Sequence, residues 1–283
     1  MELHRQPSFL SLLNPFAPAL SLWRHRGLLR QFTVRNVEMR HKGSILGIVW
    51  AVLNPLLTLA VYVFVFGFVF GGSFGVVENE SRWDYGLGIF LGLAIFQLVA
   101  EAITVAPSLI TTHQNFVKKV VFPLEILPAA AVGAGAFHML ITLAMVAIGV
   151  VAGGRALTVH ALQLPIIILP ILITSLGLAW LLAALGVFFR DLAQVVGALA
   201  SALMFASAIF YPAIRVATEA PTAWAFLKFN PLLHTVEMAR EAVLWSQPVF
   251  WPTLGWLYLG AGLTASLGYA CFIRLKPAFA DVI

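Results

Sequence analysis

The sequence has little charge and almost no cysteine. Charged residues make up 10% of its 283 residues, hydrophobic residues make up 61%, and the mean hydropathy is +0.94. Such a composition lies far outside the range of soluble globular domains and predicts a membrane protein. The single cysteine, Cys271, excludes an intrachain disulfide framework and a cysteine-rich metal site.

The motifs of several enzyme classes are absent as well. The sequence contains no phosphate-binding loop of the GxxxxGKS or GxxxxGKT type and no HExxH pair. Its seven histidines are scattered, and no chain of acids and histidines runs through an apolar segment as in an ion-coupled pump. We therefore expect no catalytic residues, no metal site and no cofactor in this chain.

Six apolar runs are long enough to cross a hydrocarbon core, which takes about 20 helical residues. Because the runs are continuously apolar, they favour helices over the alternating strands of a membrane barrel. We predict an all-α integral membrane protein with a cytoplasmic N-terminal segment (1–44), a six-helix transmembrane domain (45–273) and a cytoplasmic tail (274–283). The predicted spans are 45–70, 86–107, 124–152, 164–189, 193–213 and 253–273.

The distribution of Lys and Arg predicts that both termini are cytoplasmic, because positively charged loops stay on the inner side. With the amino terminus inside, the outer loops carry only a minority of the 17 basic residues, namely Arg82, Arg155, Arg215, Lys228 and Arg240. The pI of about 9.7 is then a sign of topology, and no nucleic-acid partner is needed to explain it.

A basic stretch leads directly into the first apolar run. Residues 26–42 predict an amphipathic interfacial helix, with one apolar sector (Leu28, Leu29, Phe32, Asn36, Met39) and one basic sector (Arg26, Arg30, Thr33, Arg40). This helix can anchor the chain on anionic membrane lipid or can bind an anionic substrate, and both interpretations stay open. Inside the first span, Asn54-Pro55 predicts a kink.

Polar positions occur in three further places. Gln97, Glu101, Thr104 and Ser108 form a stripe on one face of the second span, where Glu101 either pairs within the protein or serves function. Of the two inner loops, 107–128 predicts a short amphipathic cytoplasmic helix and 188–196 a much tighter turn. The outer segment 214–252 is rich in aromatic residues and predicts short helices that dip into the membrane interface.

Four stretches of the sequence together resemble one transporter family. They are RQFTVRNVEMRHKGSILGIVWAVLNPLL, KKVVFPLEILPAAAVGAGAFHMLI, FFRDLAQVV with IFYPAI, and FNPLLHTVEMAREAVLW. In this order, over about residues 28 to 275, they resemble the permease subunit of type-2 ABC exporters for cell-surface polysaccharides, the branch that handles O-antigen, teichoic acid and capsule. The resemblance implies a bacterial inner-membrane homodimer that pairs with two copies of a separate ATPase, and that ATPase would bind the ATP and Mg²⁺.

The resemblance also implies a lipid-linked polysaccharide as substrate and roles for particular residues. Its headgroup is expected at Arg35, Arg40 and Lys42, which precede the first span. The expected ATPase-coupling residues are Asn115, Phe116, Val117, Lys118, Lys119, Glu125, Arg190 and Asp191. The expected outer gate comprises re-entrant helices between spans five and six, with Asn230, Pro231, Glu237 and Arg240.

Aromatic side chains are expected along the translocation path, because rings contact the C–H faces of sugars without trapping them. The expected residues are Trp50, Tyr62, Phe66, Phe70 and Tyr211, with Tyr211 as the counterpart of Tyr62 across the path. Other classes stay open. A drug or lipid exporter would share the fold, a secondary carrier would need coupling groups inside the membrane, and an isoprenoid-lipid enzyme would need more acids than Glu101 and Glu125.

Overall fold

The computed structural model describes residues 14, 16–76, 80–118 and 122–283. All secondary structure within these ranges is helical. In chain order the helices are α1 Ala17–Arg24, α2 Arg26–His41, α3 Trp50–Tyr62, α4 Arg82–Thr112, α5 Gln114–Lys118, α6 Ile126–Ala152, α7 Leu164–Phe188, α8 Leu192–Ala206, α9 Ala213–Glu219, α10 Pro221–Leu227, α11 Pro231–Val243, α12 Trp251–Leu275 and α13 Phe279–Val282. Helix α3 continues as a π-helix over Val63–Val69, and 3₁₀ turns occupy Gly47–Val49, Val159–Gln163 and Lys276–Ala278.

Five helical segments among the described residues are long and apolar enough to cross a membrane. They are Trp50–Val69, Arg82–Thr112, Ile126–Ala152, Val159–Phe188 and Trp251–Val282. The apolar run that predicted a span over 193–213 forms a shorter helix, α8, which has 15 residues and ends at Ala206. The apolar sequence continues past that end, but the chain turns at Ala208, whose φ is 51°.

Helix α4 is the centre of the bundle. It packs against α6, α7, α8 and α11, and α7 in turn packs along α12. In the most apolar part of α4, 72% of the residues are buried, whereas the corresponding figure for the first span is 11%. The first span therefore lies at the edge of the bundle with most of its surface uncovered.

Glycines bring the backbones of neighbouring helices into contact. A Cβ atom at Gly268 of α12 would overlap the carbonyl oxygen of Gly177 of α7, and one at Gly177 would lie 2.5 Å from the carbonyl oxygen of Thr264. Lipid supplies little hydrophobic force between spans, so close backbone approach at small residues is a main source of helix packing in membranes. The α7–α12 pair is built in this way.

Helix α2 packs against α6, and its predicted apolar sector is half-buried at Leu28, Leu29, Phe32 and Asn36. Val37 is only 7% exposed, while Met39 is 56% exposed. Thr33 occupies space that Gly133 leaves free, since a Cβ atom at Gly133 would lie 2.8 Å from the Thr33 hydroxyl oxygen. The side of α2 that carries Thr33 and Val37 therefore packs on protein, and hydropathy alone does not reveal which face of a helix meets a glycine.

We expect Gly268→Ala to lower the free energy of unfolding by about 1–3 kcal/mol, because the added methyl group must push α12 away from the backbone of α7. Gly262→Ala on the same helix is the matched control, since a Cβ atom there meets nothing within 4 Å. Thermal unfolding of the purified protein in detergent measures both changes. Equal midpoints for the two variants would contradict the close α7–α12 contact.

Candidate functional site

A groove of about 330 Å³ lies between α3, α4 and α6. It starts near the end of α2 and runs along the first span. Its polar lining side chains are Arg40, Asn54, Thr58, Gln97, His138 and Thr142, and its aromatic lining side chains are Trp50, Tyr62, Phe90 and Phe96. The groove thus combines one cation, several hydrogen-bonding groups and aromatic rings.

Arg40 is the cation of this groove, and it forms an ion pair with Glu101. The Arg40 Nη1 to Glu101 Oε2 distance is 2.7 Å, and the two side chains are 43% and 15% exposed. Pairing within the protein is therefore what Glu101 does in this structure. Thr104 and Ser108, in the same predicted stripe, donate hydrogen bonds to carbonyl oxygens of their own helix.

The other two residues predicted for headgroup binding do not line the groove. The Arg35 guanidinium lies 5.2 Å from the centre of the Phe32 ring, on the part of α2 that faces α5 and the loop after it. Lys42 follows the end of α2 and is exposed. The structure brings only Arg40 of the three into the groove.

An aromatic stack adjoins the groove at Tyr62. The stack consists of Tyr62, Phe66, Phe70, Phe205 and Phe210. Ring centres are separated by 5.7 Å between Tyr62 and Phe66, 5.8 Å between Phe66 and Phe70, 4.7 Å between Phe66 and Phe210, and 5.5 Å between Tyr62 and Phe210. Phe205, at the end of α8, contacts Phe210 at 5.8 Å. The first-span residues that the sequence predicted as one stripe are therefore in successive ring contact.

The turn after α8, residues 206–213, is held by side chains of α11. Asn230 Nδ2 donates to the carbonyl oxygen of Ala206 (3.0 Å) and to the Ser207 hydroxyl oxygen (3.1 Å). The Asn230 Oδ1 atom accepts a hydrogen bond from the Leu232 amide and so caps α11, with Pro231 at the first helical position, where its missing N–H costs nothing. One side chain thus ends α8 and starts α11.

Arg240 holds the middle of the same turn and is completely buried, with 0% exposure. Its guanidinium donates to the carbonyl oxygens of Ala208 (2.7 Å), Ile209 (2.5 Å) and Gly88 of α4 (2.9 Å). Glu237 supplies the opposite charge at 3.2 Å. Burial lowers the pKa of Arg240 to about 10, and the nearby Glu237 carboxylate opposes that shift, so the guanidinium is charged at neutral pH.

The backbone of the turn is in a conformation that alanine rarely adopts. Ala208 has a φ of 51°, in the left-handed region, which costs a non-glycine residue roughly 1–2 kcal/mol. Charge-assisted hydrogen bonds from Arg240 to two successive carbonyl groups offset such a cost. Tyr85 of α4 holds the next carbonyl group, that of Phe210, through its hydroxyl at 2.8 Å. We call Tyr85, Asn230, Glu237 and Arg240 the outer clamp.

Two of the regions predicted to couple to an ATPase lie next to each other. Helix α5 contains Asn115, Phe116, Val117 and Lys118, and Phe116 packs on Phe32 of α2. Arg190, just after α7, lines a groove of about 280 Å³ together with Gln114 of α5. Asn115, Lys118, Arg190 and Asp191 are exposed, whereas Lys119 lies outside the described residues.

Glu125 is different from the other predicted coupling residues, because it is buried. Its carboxylate accepts hydrogen bonds from Lys276 Nζ (2.8 Å) and the Ser21 hydroxyl (3.3 Å), and its carbonyl oxygen accepts one from Trp180 Nε1 (2.9 Å). Glu125 therefore joins α1, the start of α6, α7 and the end of α12. It does not present a carboxylate on an exposed surface, as a contact residue would.

Comparison with known proteins decides the family. The model of the family described as ABC-2 type transporter matches residues 28–244, which include α2, the groove, the aromatic stack and the outer clamp. The chain belongs to the ABC-2 type transporter family. This confirms the resemblance seen in the sequence, makes the chain a transport subunit and implies an ATPase as its partner.

Several relatives of this ABC-2 chain are export proteins. The O-antigen export system permease protein RfbA of Myxococcus xanthus is 29% identical over 75% of this chain and 78% of its own length. A protein of the same description from Klebsiella pneumoniae is 26% identical over 90% and 95% of the two chains. The polysialic acid transport protein KpsM of Escherichia coli is 25% identical over 87% and 92%.

Two residues of the aromatic stack in this ABC-2 chain were missed by sequence reasoning. Of the two adjacent aromatic residues in the turn, Phe210 contacts Tyr62, and Tyr211 does not. Tyr211 points away, donates a hydrogen bond to the Phe205 carbonyl oxygen and packs near Leu233. The left-handed Ala208 changes the direction of the chain. Side-chain directions extrapolated from α8 as if the helix continued are therefore wrong for the residues after Ala208. A pair of adjacent aromatic residues after a helix end was the only available signal.

We expect Lys276→Met to lower the free energy of unfolding by about 1–3 kcal/mol, because it leaves the buried Glu125 carboxylate without its cation. Arg215→Met is the control, since both side chains of the Arg215–Glu219 pair are exposed. Such exposed ion pairs contribute at most about 1 kcal/mol to the free energy of unfolding. Denaturation in detergent measures both. Adding Glu125→Gln to Lys276→Met should recover part of the loss, and no difference between Lys276→Met and Arg215→Met would contradict the role of the pair.

Proposed function

We propose that this chain is the permease subunit of an ATP-driven exporter that moves lipid-linked polysaccharide across the bacterial inner membrane. The observation that carries the proposal is the continuity between the groove and the aromatic stack at Tyr62. An anionic headgroup and a sugar chain need two unlike environments in sequence, and the groove and the stack provide them. The relatives described above are proteins of O-antigen export and polysialic acid transport, which supports the same substrate class.

In this proposal the Arg40 guanidinium binds a phosphate of the lipid-linked headgroup. Two parallel N–H donors match two phosphate oxygens, which an ammonium group cannot do. Glu101 forms an ion pair with this guanidinium, so a bound phosphate would share Arg40 with Glu101 or replace it. The amide groups of Asn54 and Gln97 in the same groove are available for further hydrogen bonds to the headgroup.

The rings of the stack then form the path for sugars. Aromatic faces contact the C–H faces of sugar rings through weak, sequence-tolerant interactions, so a long chain can slide along them. Two copies of this chain form the path in our proposal, because the first span buries only 11% of its most apolar part within one copy. A second copy would cover that surface, and α5 with the Arg190 turn would dock on the ATPase.

The finer topology follows the same proposal. Helix α8 with the turn after it is the fifth of six spans, and α9, α10 and α11 are re-entrant helices of the outer gate. Both termini are cytoplasmic, since basic residues concentrate on that side of the six-span arrangement. The domains are then the N-terminal segment to residue 44, the membrane domain 45–273 and the tail 274–283.

The test of the proposed function is export by the whole complex in its host. A strain that lacks this chain should retain glycan inside the cell, and the wild-type chain should restore glycan at the surface. The ATPase partner with its phosphate-loop lysine changed to alanine should fail to restore export. Normal surface glycan in the deletion strain would refute polysaccharide export, and export with the inactive ATPase would refute an ATP-driven pump.

We expect Tyr62→Ala and Phe66→Ala each to reduce surface glycan roughly 2- to 10-fold, because an aromatic contact of this kind contributes about 0.5–1.5 kcal/mol. Trp256→Ala is the matched control, since Trp256 is 75% exposed and lies on α12, away from the stack and from the first span. Surface glycan is measured at matched protein level. Similar losses in all three variants would contradict a specific path along the stack.

A further inference from the structure

Three consecutive carbonyl groups after α8 are held from outside the turn. Arg240 binds those of Ala208 and Ile209, and Tyr85 binds that of Phe210. The two side chains come from different helices, α11 and α4, so the turn is fixed from two directions. A segment in a left-handed conformation keeps it only when its surroundings determine it.

Helix α4 is shaped to receive the Arg240 side chain. Gly88 offers its carbonyl oxygen to Arg240 Nε at 2.9 Å, and Gly92, one turn further, leaves space for the guanidinium. A Cβ atom at Gly92 would lie 2.9 Å from Arg240 Nη2. The ring of Phe74 covers the guanidinium, 4.2 Å from its central carbon. Arg240 is thus enclosed by α4, the turn and the loop after the first span.

The turn carries Phe210, which connects this enclosed cluster to the first span. Phe210 contacts Phe66 at 4.7 Å and Tyr62 at 5.5 Å. The first span lies at the edge of the bundle, with 11% of its most apolar part buried. The position of the Phe210 ring therefore determines how the aromatic stack of the first span contacts the turn after α8.

We propose that Arg240, together with Tyr85, is a positioning residue for the translocation path: it fixes Phe210 against Tyr62 and Phe66, so that a displacement of α11 displaces the ring that borders the path. This rests on the proposed function, because a path along the stack is part of it. The outer segment and the aromatic stack then move together, because Arg240 connects them.

The hydrogen bonds made at position 240 require arginine. Its five N–H donors point in fixed directions and reach three carbonyl oxygens and the Glu237 carboxylate at once. A lysine ammonium group keeps the charge but has three donors at a single point on a flexible stem. Arg240→Lys should therefore leave the charge pair with Glu237 and release at least one carbonyl group of the turn.

The first experiment measures the position of the turn without relying on export. Tyr62→Cys and Phe210→Cys are introduced in a Cys271→Ser background, in the full chain bound to its ATPase partner, and are cross-linked with a short thiol reagent. We expect Arg240→Lys to reduce the cross-linked fraction several-fold. Arg215→Lys is the control, because Arg215 bonds only to exposed Glu219. An unchanged cross-linked fraction in Arg240→Lys would overturn the proposal.

Tyr85→Phe is the second variant, and it removes a single hydroxyl group from the clamp. It keeps the ring that packs on Phe74 and so preserves the buried volume. Tyr85→Phe therefore tests the proposal even if Arg240→Lys lowers the protein level. We expect a smaller but measurable fall in cross-linking. A fall of the same size in Tyr85→Phe and Arg215→Lys would overturn the part assigned to Tyr85.

The second experiment is a double-mutant cycle on surface glycan with Arg240→Lys and Phe210→Ala. If Arg240 acts through Phe210, Arg240→Lys should reduce export several-fold in the wild-type background and have almost no further effect with Phe210→Ala. Multiplicative losses would assign Arg240 a general structural role and overturn the proposal. The two proposals can fail separately: normal export in Phe210→Ala refutes the path, while the cross-linking result still decides whether Arg240 positions the turn.

Discussion

The arrangement of α4, α11 and the turn after α8 depends on one buried guanidinium, that of Arg240. A charge removed from water must be paired and hydrogen-bonded within the protein, or it destabilises the fold by several kcal/mol. Arg240 has no exposed surface, so its donors must find acceptors in α4, in the turn after α8 and on α11 itself. Three segments far apart in the sequence are thereby fixed relative to one another. Shifting any one of them would leave a donor or an acceptor without a partner.

Elsewhere in the bundle, close contact between backbones also holds helices together. Lipid chains are as apolar as the side chains they meet, so spans gain little by hiding apolar surface from them. Gly177 and Gly268 let α7 and α12 approach closely, and Gly186 allows the same between α7 and the Pro107 backbone. Helices α4, α7 and α12 form a tight frame, and the first span meets α4 where the Val63 side chain fills the space that Gly86 leaves free. The stack, through Phe210, supplies part of what holds the first span.

Much of the fold could be predicted from the sequence because lipid imposes a simple rule on every residue that meets it. The predicted spans 124–152, 164–189 and 253–273 agree within two residues with Ile126–Ala152, Leu164–Phe188 and Trp251–Leu275. This rule tells which residues can meet lipid, but it does not tell which segments of the protein pack against one another. It could not show that α8 stops at Ala206, since Ile209 and Phe210 are as apolar as the helix before them. It also could not show that Val37 packs on α6 while Met39 remains exposed.

The candidate site was less predictable, and the reason is the same in each case. Glu125 is paired with a lysine 151 positions away, and Phe210 faces Tyr62 only because a left-handed residue two positions earlier redirects the chain. Spacing along a helix gives the relative direction of Tyr62, Phe66 and Phe70, but that information ends where the helix ends. The motif residues Asn230, Glu237 and Arg240 were recognisable as a group, yet Asn230 and Arg240 donate to backbone carbonyl groups, which no sequence distinguishes from one another. The turn between α8 and α9 therefore receives its shape from side chains on α11 and α4, so a change in any of these elements reaches the stack through the backbone of the turn.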